Sequence, residues 1–231
     1  MTDFYLNSVS IKAFSNFEDS INLQLKLLVN LVYDLASINK NFSNWYINNT
    51  SNEKPPLEYK FPDKKALEYL FKLRKNDTFK SFLLWNGKVD NDLYAAISFN
   101  IINLSLSLQS TLTRLEIVEI FKIILKYIPC KYLYLSNSYF MDVRIFEHRQ
   151  PISSICFISK ILNKNDVPFL YEKIDIHNDL NTGSILIFDE NLFDESDTMK
   201  KKLQENAIVL VELDLIPETE LDPDFFNDVE F

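Results

Sequence analysis

Glycine is nearly absent from this chain, which has two glycines among 231 residues. Gly87 and Gly183 lie too far apart to form the P-loop pattern G-x-x-x-x-G-K-[ST] or the nucleophile elbow G-x-S-x-G. Two glycines are also too few for the dinucleotide-binding pattern G-x-G-x-x-G. The sequence therefore excludes the nucleotide-binding proteins and hydrolases that depend on these loops.

Histidine and cysteine are equally scarce, with two residues of each. His148 and His177 occur in no metal-ligand spacing, so we interpret His148 as a surface residue and His177 as part of a polar loop. A carboxylate metal site around His177 is the alternative. Cys130 and Cys156 lie in apolar segments without a C-x-x-C motif, which favours buried free thiols over a disulfide. We expect neither a metal nor a cofactor.

Long apolar runs are also missing. No stretch approaches the roughly 18 consecutive apolar residues that a membrane span needs. Residues 1–13 lack the basic start and apolar run of a signal peptide. These observations predict a cytoplasmic protein that does not bind a membrane.

Apolar residues make up 47% of the chain and aromatic residues 14%, which is enough to build a packed core. Alternation predicts a strand in residues 1–13. A helix should follow, starting at the capping-box pair Ser15 and Glu18 and fading near Asn39. A shorter helix is predicted at residues 63–75.

The middle of the chain is typical of β-structure. Residues 79–85 are predicted to form a strand closed by the hairpin signal Asn86-Gly87. In residues 93–108 the apolar positions change from odd to even numbers. Such a phase shift indicates either a β-bulge or two strands joined by a tight turn.

A second capping box, Thr113 with Glu116, predicts a helix that Pro129 ends. The pattern after it is strand-like, with a short helix at about residues 196–204. The predicted strands are residues 132–135, 143–146, 152–158, 185–188 and 208–213.

The strands cluster instead of alternating one for one with helices. This order favours an α+β fold, a mainly antiparallel β-sheet with three or four helices packed largely on one face. We expect residues 1–215 to form a single domain of this kind and residues 216–231 to form an acidic C-terminal tail.

The net charge of −9 comes entirely from residues 203–231, which hold nine carboxylates and no Lys or Arg. The other 202 residues carry 24 acidic and 24 basic side chains. An anionic end repels the phosphates of nucleic acid and attracts basic protein surfaces. The tail also interleaves aromatic residues with its acids, which suits docking against a basic groove; a frayed, solubilising terminus is the alternative.

Neighbouring carboxylates occur at Asp189-Glu190, Asp194-Glu195 and Asp222-x-Asp224, so general acid–base catalysis by a hydrolase stays an open hypothesis. Because these pairs are predicted to lie in loops or in the tail, solvated surface charge is the preferred interpretation. We therefore expect a binding protein and not an enzyme.

Three motifs resemble those of the Immunity protein 52 family of bacterial toxin-immunity proteins. The first is Asn41-Phe42-Ser43-Asn44-Trp45-Tyr46 after the first helix, similar to the family's aromatic-Trp-Tyr segment. The second is Leu84-Trp85-Asn86-Gly87, similar to its Trp-x-Gly strand pair. The third is the glycine-started apolar strand Gly183-Ser184-Ile185-Leu186-Ile187-Phe188. The chain departs from the family pattern in lacking a Gly-aromatic pair around residues 141–146.

The resemblance implies a cytoplasmic protein without catalytic activity that neutralises a cognate toxin of type VI or related secretion systems. The toxins of this family often look like restriction-endonuclease-fold nucleases, which are expected to be basic. An adaptor or chaperone that loads an effector onto a secretion machine is the alternative function.

Acidic residues in the predicted loops and the tail are the expected toxin contacts, whereas Trp85, Asn86 and Gly87 are interpreted as structural. The expected contact residues are Asp90, Asp92, Asp189, Glu190, Asp194, Glu195, Asp197, Glu218, Glu220, Asp222 and Asp224.

Overall fold

The computed structural model describes residues 9–14, 20–47, 59–75, 81–88, 94–100, 103–108 and 112–219. Within these ranges the strands form one ten-stranded sheet in which every neighbouring pair is antiparallel, and five α-helices flank it. The predicted α+β class with a mainly antiparallel sheet is confirmed.

The strands and helices follow one another in groups along the chain. The strands are β1 (Val9–Phe14), β2 (Trp45–Ile47), β3 (Lys60–Phe61), β4 (Phe82–Trp85), β5 (Ala95–Phe99), β6 (Asn103–Leu108), β7 (Tyr132–Ser136), β8 (Ile155–Ile158), β9 (Glu172–His177) and β10 (Thr182–Ile187). The helices are α1 (Ile21–Leu35), α2 (Lys64–Lys75), α3 (Arg114–Tyr127), α4 (Ser138–Asp142) and α5 (Asp197–Glu212).

The order of strands across the sheet is β3-β2-β4-β5-β6-β1-β7-β8-β10-β9. The first strand of the chain, β1, is thus inserted between β6 and β7. Its Ile11 lies opposite both Leu106 of β6 and Leu135 of β7. β1 therefore joins the strands that follow α1 and α2 to the strands that follow α3.

Burial along the strands shows how the two faces of the sheet are covered. In β5 and β6 buried residues alternate with partly exposed ones, so those strands have one covered face. Every residue of β7 and β8 is buried, which requires cover on both faces. The buried sides of α1 and α3 pack with Ile11 and Leu106 in the core on the first face.

Among the described residues, the second face is covered behind β7 and β8. There the Tyr132 hydroxyl donates to the Pro151 carbonyl at 3.0 Å, and the Tyr134 hydroxyl donates to Gln150 Oε1 at 3.2 Å. Gln150 and its neighbours in turn line a small cavity with Gln204, Ala207 and Val211 of α5. α5 and residues 143–152 therefore form the layer behind β7.

The change of phase in residues 93–108 falls between two separate strands, β5 and β6. β5 and β6 are antiparallel neighbours, with Phe99 opposite Leu104. The Asn100 N–H donates to the Asn103 carbonyl at 3.0 Å, and the Asn103 N–H donates to Asn100 Oδ1 at 2.8 Å. Asn100 thus links the two strands through both its backbone and its side chain.

The hairpin predicted at Asn86-Gly87 is present, although it is longer than a two-residue turn. β4 and β5 are paired, and the Asn86 N–H donates to the Ala95 carbonyl at 2.9 Å. Gly87 has φ 74°, a left-handed backbone conformation that glycine adopts without steric cost.

The predicted start of the first helix was wrong. Ser20 caps α1, its hydroxyl accepting from the Leu23 N–H at 3.4 Å. Ser15 and Glu18 lie outside the described residues. The other capping box is confirmed, with Thr113 and Glu116 satisfying each other's backbone N–H groups at the start of α3.

Two predicted strands were also wrong. Residues 143–146 form a turn after α4, a helix that the side chain of Asn137 caps. Residues 208–213 do not form a strand, because α5 continues to Glu212. Met199, Leu203 and Leu210 recur at helical spacing on its buried side, and this tertiary packing overrides the β-propensity of the later run of Ile and Val residues.

The sequence prediction missed β9, which forms an edge of the sheet. His177 is the last residue of β9 and is exposed, so its assignment to a polar loop was wrong. Asn178 and Asn181 close the β9–β10 hairpin, the Asn178 N–H donating to the Asn181 carbonyl at 3.0 Å.

The side chain of Asn181 connects this hairpin to α3. Its amide nitrogen donates to the carbonyls of Leu125 at 2.6 Å and Ile128 at 2.7 Å, and its oxygen accepts from the Cys130 N–H at 2.7 Å. These bonds satisfy carbonyls that a helix leaves unpaired at its C-terminus. One buried amide therefore fixes α3 against the sheet.

Gly183 is required by close packing between strands. A Cβ atom at this position would overlap the carbonyl oxygen of Ile158 and lie 2.6 Å from the ring of Phe157. The Ile158 oxygen belongs to the backbone of β8, so it cannot move aside without disturbing the ladder.

Replacing Gly183 with Ala should therefore lower the free energy of unfolding by about 2–3 kcal/mol, the usual cost of overpacking a core. Thr182→Ala is the matched control, because Thr182 is exposed on the same strand. It should change stability by less than about 0.5 kcal/mol. Urea unfolding checks both, and equal stability of the two variants would contradict the packing described for Gly183.

Candidate partner-binding surface

The expected toxin-contact residues fall into two groups. Asp189, Glu190, Asp194, Glu195, Asp197 and Glu218 are described by the structure. Asp90, Asp92, Glu220, Asp222 and Asp224 lie outside the described residues.

Residues 189–196 form the loop between β10 and α5, and side-chain hydrogen bonds hold its backbone. The Asn191 N–H donates to Asp189 Oδ1 at 3.1 Å, and the Phe193 N–H donates to Asn191 Oδ1 at 3.1 Å. The next residue in this series, Asp194, accepts from the N–H of Ser196 at 3.0 Å and from its hydroxyl at 2.8 Å. These repeated turns fix the direction in which the acidic side chains point.

The loop is also anchored to the sheet. Leu192 is buried, and its carbonyl accepts from the Ser154 hydroxyl at 2.6 Å. Glu190 and Glu195, on either side of this anchor, are exposed, and they form no ion pair with any residue in the described part of the chain. The loop therefore presents two uncompensated carboxylates on a fixed backbone.

The start of α5 uses the other acidic residues structurally. Ser196 is the N-cap, its hydroxyl accepting from the Met199 N–H at 3.2 Å. Asp197 lies in the first turn, where a negative charge is stabilised by the helix dipole. Asp194 and Asp197 thus contribute to the negative surface and also stabilise the end of the helix.

Tyr139 of α4 adjoins the same acids. Its hydroxyl donates to the Ser196 carbonyl at 3.1 Å. Burial raises the pKa of Tyr139, and the negative charges of Asp194, Glu195 and Asp197 raise it further. We name the surface formed by Tyr139, Glu190, Asp194, Glu195 and Asp197 the acidic surface.

Asp189 differs from its neighbour Glu190 because its carboxylate is engaged within the protein. Lys202 Nζ lies 2.6 Å from Asp189 Oδ2, and the two side chains are 26% and 24% exposed, respectively. Burial works to raise the pKa of Asp189, but the hydrogen bonds from Lys202 and the Asn191 N–H outweigh it, so the pKa is lowered. Asp189 therefore has a structural role in joining the loop to α5, and its contact with a toxin stays a prediction.

Glu218 lies at the other end of α5. Its carboxylate is 3.4 Å from Arg149 Nη2, and the same Arg149 contacts Asp214 Oδ1 at 2.9 Å. Asp197 is the first residue of α5 and Asp214 follows its last, and the 16 residues of the helix span about 24 Å. The structure therefore does not bring Glu218 together with the acidic surface.

The residues after α5 are attached to the body of the protein. Ile216 is buried, and the Thr219 N–H donates to the His148 carbonyl at 2.8 Å. The Gln150 N–H donates to the Pro217 carbonyl at 2.9 Å. Residues 216–219 are thus packed against residues 148–150, while the division into residues 1–215 and 216–231 stays a prediction.

The first two family-like motifs of the sequence contact each other. Tyr46 of β2 lies opposite Trp85 of β4, and the Asn86 side-chain amide donates to the Asn41 carbonyl at 3.2 Å. Trp85 is only 5% exposed. These residues hold β2 and β4 together. β2 and β4 lie near one edge of the sheet, whereas β10, which leads into the acidic surface, lies near the other edge.

Sequence reasoning did not find Tyr139. The residue lies about 55 positions before the acids whose charges raise its pKa, and no local pattern connects the two segments. For the other part of this surface, the end of the loop, the sequence did offer a signal. It is the pair Asp194 and Ser196, because such residues before a helix often form turns and N-caps.

No family model matches the chain, and no curated protein matches it. Among solved structures, the chain is similar to the Pseudomonas aeruginosa T6SS protein PA0821, with a TM-score of 0.49 and 10% sequence identity. The match covers 86% of this chain and 73% of that chain. Within the described ranges, no helix is both long and apolar enough to cross a membrane.

The ion pair of Asp189 makes a pH-dependent prediction. Folding lowers the pKa of Asp189. The ionised side chain therefore adds to the free energy of unfolding above the pKa of the unfolded state, and this stabilisation is lost as the pH falls through the pKa of the folded state. Asp189→Asn should therefore reduce stability by about 1 kcal/mol at pH 7, and the difference from the parent should shrink below about pH 4. Thermal unfolding from pH 7 to pH 3 measures it.

The exposed neighbour provides the control for this measurement. Glu190→Gln should leave stability within about 0.5 kcal/mol of the parent across the same range, because the Glu190 side chain forms no ion pair with a described residue. A deficit of Asp189→Asn that stays constant with pH would contradict the role given to Lys202.

Proposed function

We propose that this protein neutralises a cognate bacterial toxin by binding it stoichiometrically, as an immunity protein, and that it catalyses no reaction. The observation that carries the proposal is the acidic surface. Glu190 and Glu195 stand uncompensated on a loop fixed by Asx turns and by the buried Leu192, and Tyr139 donates a hydrogen bond to Ser196 at the end of that loop. A surface built in this way is suited to a basic protein partner.

The chemistry of the surface indicates how each part contributes to binding. Exposed carboxylates at the rim of an interface accelerate association with a basic partner, and their effect decreases as salt is added. Tyr139 on α4 supplies aromatic contact area of the kind that anchors protein interfaces. The partner is therefore expected to be a basic protein with an apolar pocket.

A nuclease toxin fits this description, because a protein that grips nucleic acid presents basic residues around its active site. The resemblance of three sequence motifs to the Immunity protein 52 family supports the same role. The proposal accordingly names a nuclease-type toxin of a secretion system as the partner. Binding would cover or distort its active site in the cytoplasm of the cell that produces both.

Co-expression tests the function directly. Each gene that flanks the coding sequence of this protein is induced in a laboratory bacterial host, with and without the full-length chain. We expect one flanking product to stop growth and the chain to restore it. Toxicity that the chain leaves unaltered would contradict an immunity role. If the chain then changed export of that product, the adaptor hypothesis would replace it.

Charge reversal tests the surface. The variant Glu190→Lys/Glu195→Lys should slow association with the neutralised toxin by about tenfold at low ionic strength and flatten its dependence on salt. Asp194 and Asp197 are left unchanged because they stabilise the start of α5. Stopped-flow or surface-plasmon measurements at several salt concentrations give these rates.

The control carries the same change of charge elsewhere. Glu119→Lys/Asp179→Lys alters exposed acids of α3 and of the β9–β10 hairpin, away from the acidic surface. It should change the association rate less than twofold. Equal slowing by both double variants would show that only net charge matters, and would remove the acidic surface from the proposal.

A further inference from the structure

An open apolar groove of about 520 Å³ lies between α1 and α2. Both helices contribute to it, α1 over more than two turns and α2 over more than one. The lining residues are Asn22, Leu25, Lys26, Val29, Asn30, Leu67, Glu68, Phe71 and Lys72.

The floor of the groove consists of two matched ridges. Leu25 and Val29 lie one turn apart on α1, and Leu67 and Phe71 lie one turn apart on α2. Leu25 is buried, but Val29, Leu67 and Phe71 remain partly exposed although they belong to the apolar sides of amphipathic helices. Two apolar ridges with a gap between them can accept the side chains of a third helix.

The rim of the groove is basic. Lys26 on α1 and Lys72 on α2 are exposed, and neither forms an ion pair with any residue the structure describes. The acidic residue of the lining, Glu68, is 3.9 Å from Lys64 on its own helix. Uncompensated positive charge thus stands on both sides of the apolar floor.

We propose that this groove binds an amphipathic helix of a partner protein that carries acidic residues beside its apolar stripe. Apolar side chains of that helix fill the space over Leu25, Val29, Leu67 and Phe71, and its carboxylates pair with Lys26 and Lys72. Helix-in-groove recognition of this type takes its affinity from the apolar anchors and its selectivity from the flanking charges.

This groove lies apart from the acidic surface, and its flanking charges are positive, whereas those of the acidic surface are negative. α1 contacts α2, and α2 contacts β3 at one edge of the sheet, whereas the acidic surface is built from α4, the loop after β10 and the start of α5. The proposal therefore does not depend on the immunity function, and the two can fail independently.

Two synthetic peptides of roughly 18 residues test the proposal with the full-length chain. Both carry Leu at positions i, i+3, i+4, i+7 and i+11; one has Glu and the other Lys at the flanking positions. We expect fluorescence anisotropy to show the Glu peptide binding at least tenfold tighter than the Lys peptide at low salt. No binding, or equal affinity for the two peptides, would overturn the proposal.

Variants locate the binding. Lys26→Glu/Lys72→Glu should abolish the preference for the Glu peptide or reverse it, while Lys131→Glu/Lys160→Glu, at exposed lysines elsewhere, should leave it unchanged. Phe71→Ala should weaken the Glu peptide about tenfold, with thermal unfolding confirming that the variant is folded. If the groove variants bound both peptides with the affinities of the parent protein, the peptide would bind elsewhere and the proposed groove site would be refuted.

Discussion

The continuity of the sheet depends on one strand, β1. β1 comes first in the chain but is inserted at the centre of the sheet, between β6 and β7, with Ile11 and Ala13 fully buried. β1 pairs with β6 on one side and with β7 on the other. It therefore connects β5 and β6, which have one covered face, to β7 and β8, which are buried on both faces. The two parts of the chain therefore share one core, to which α1 and α3 contribute their buried residues.

Local patterns predicted local structure well. The Thr113–Glu116 capping box forms as expected, because each residue needs only a partner three positions away. The phase change in residues 93–108 correctly restricted the alternatives to a bulge or a turn. The run of Ile and Val at residues 208–211 misled the prediction, since only packing of Met199 and Leu203 against the core makes that segment helical. Strand order is a long-range property that no local pattern records.

The candidate site shows the same limit at the level of single side chains. Asp189 and Glu190 are equivalent in sequence, yet Lys202 pairs with Asp189 while Glu190 points to solvent. Asp194 and Asp197 are shared between the surface and the end of α5. The pattern of charges in the sequence therefore located the acidic region but did not distinguish its paired carboxylates from its unpaired ones. Whether a carboxylate forms an ion pair depends on which cation the fold brings near it.

The outer edge of β9 has a consequence for self-association. In the ladder with β10, the backbone groups of Lys173, Asp175 and His177 face away from the sheet. Asp175 is already held by Lys173 at 2.7 Å and by the Ser184 hydroxyl at 2.8 Å. If two copies paired antiparallel through this edge about Asp175, they would place one Asp175 against the other and disturb both ion pairs. The charged side chains of β9 thus disfavour edge-to-edge pairing of β9 with a strand of another chain, and the edge of the sheet can stay exposed to solvent.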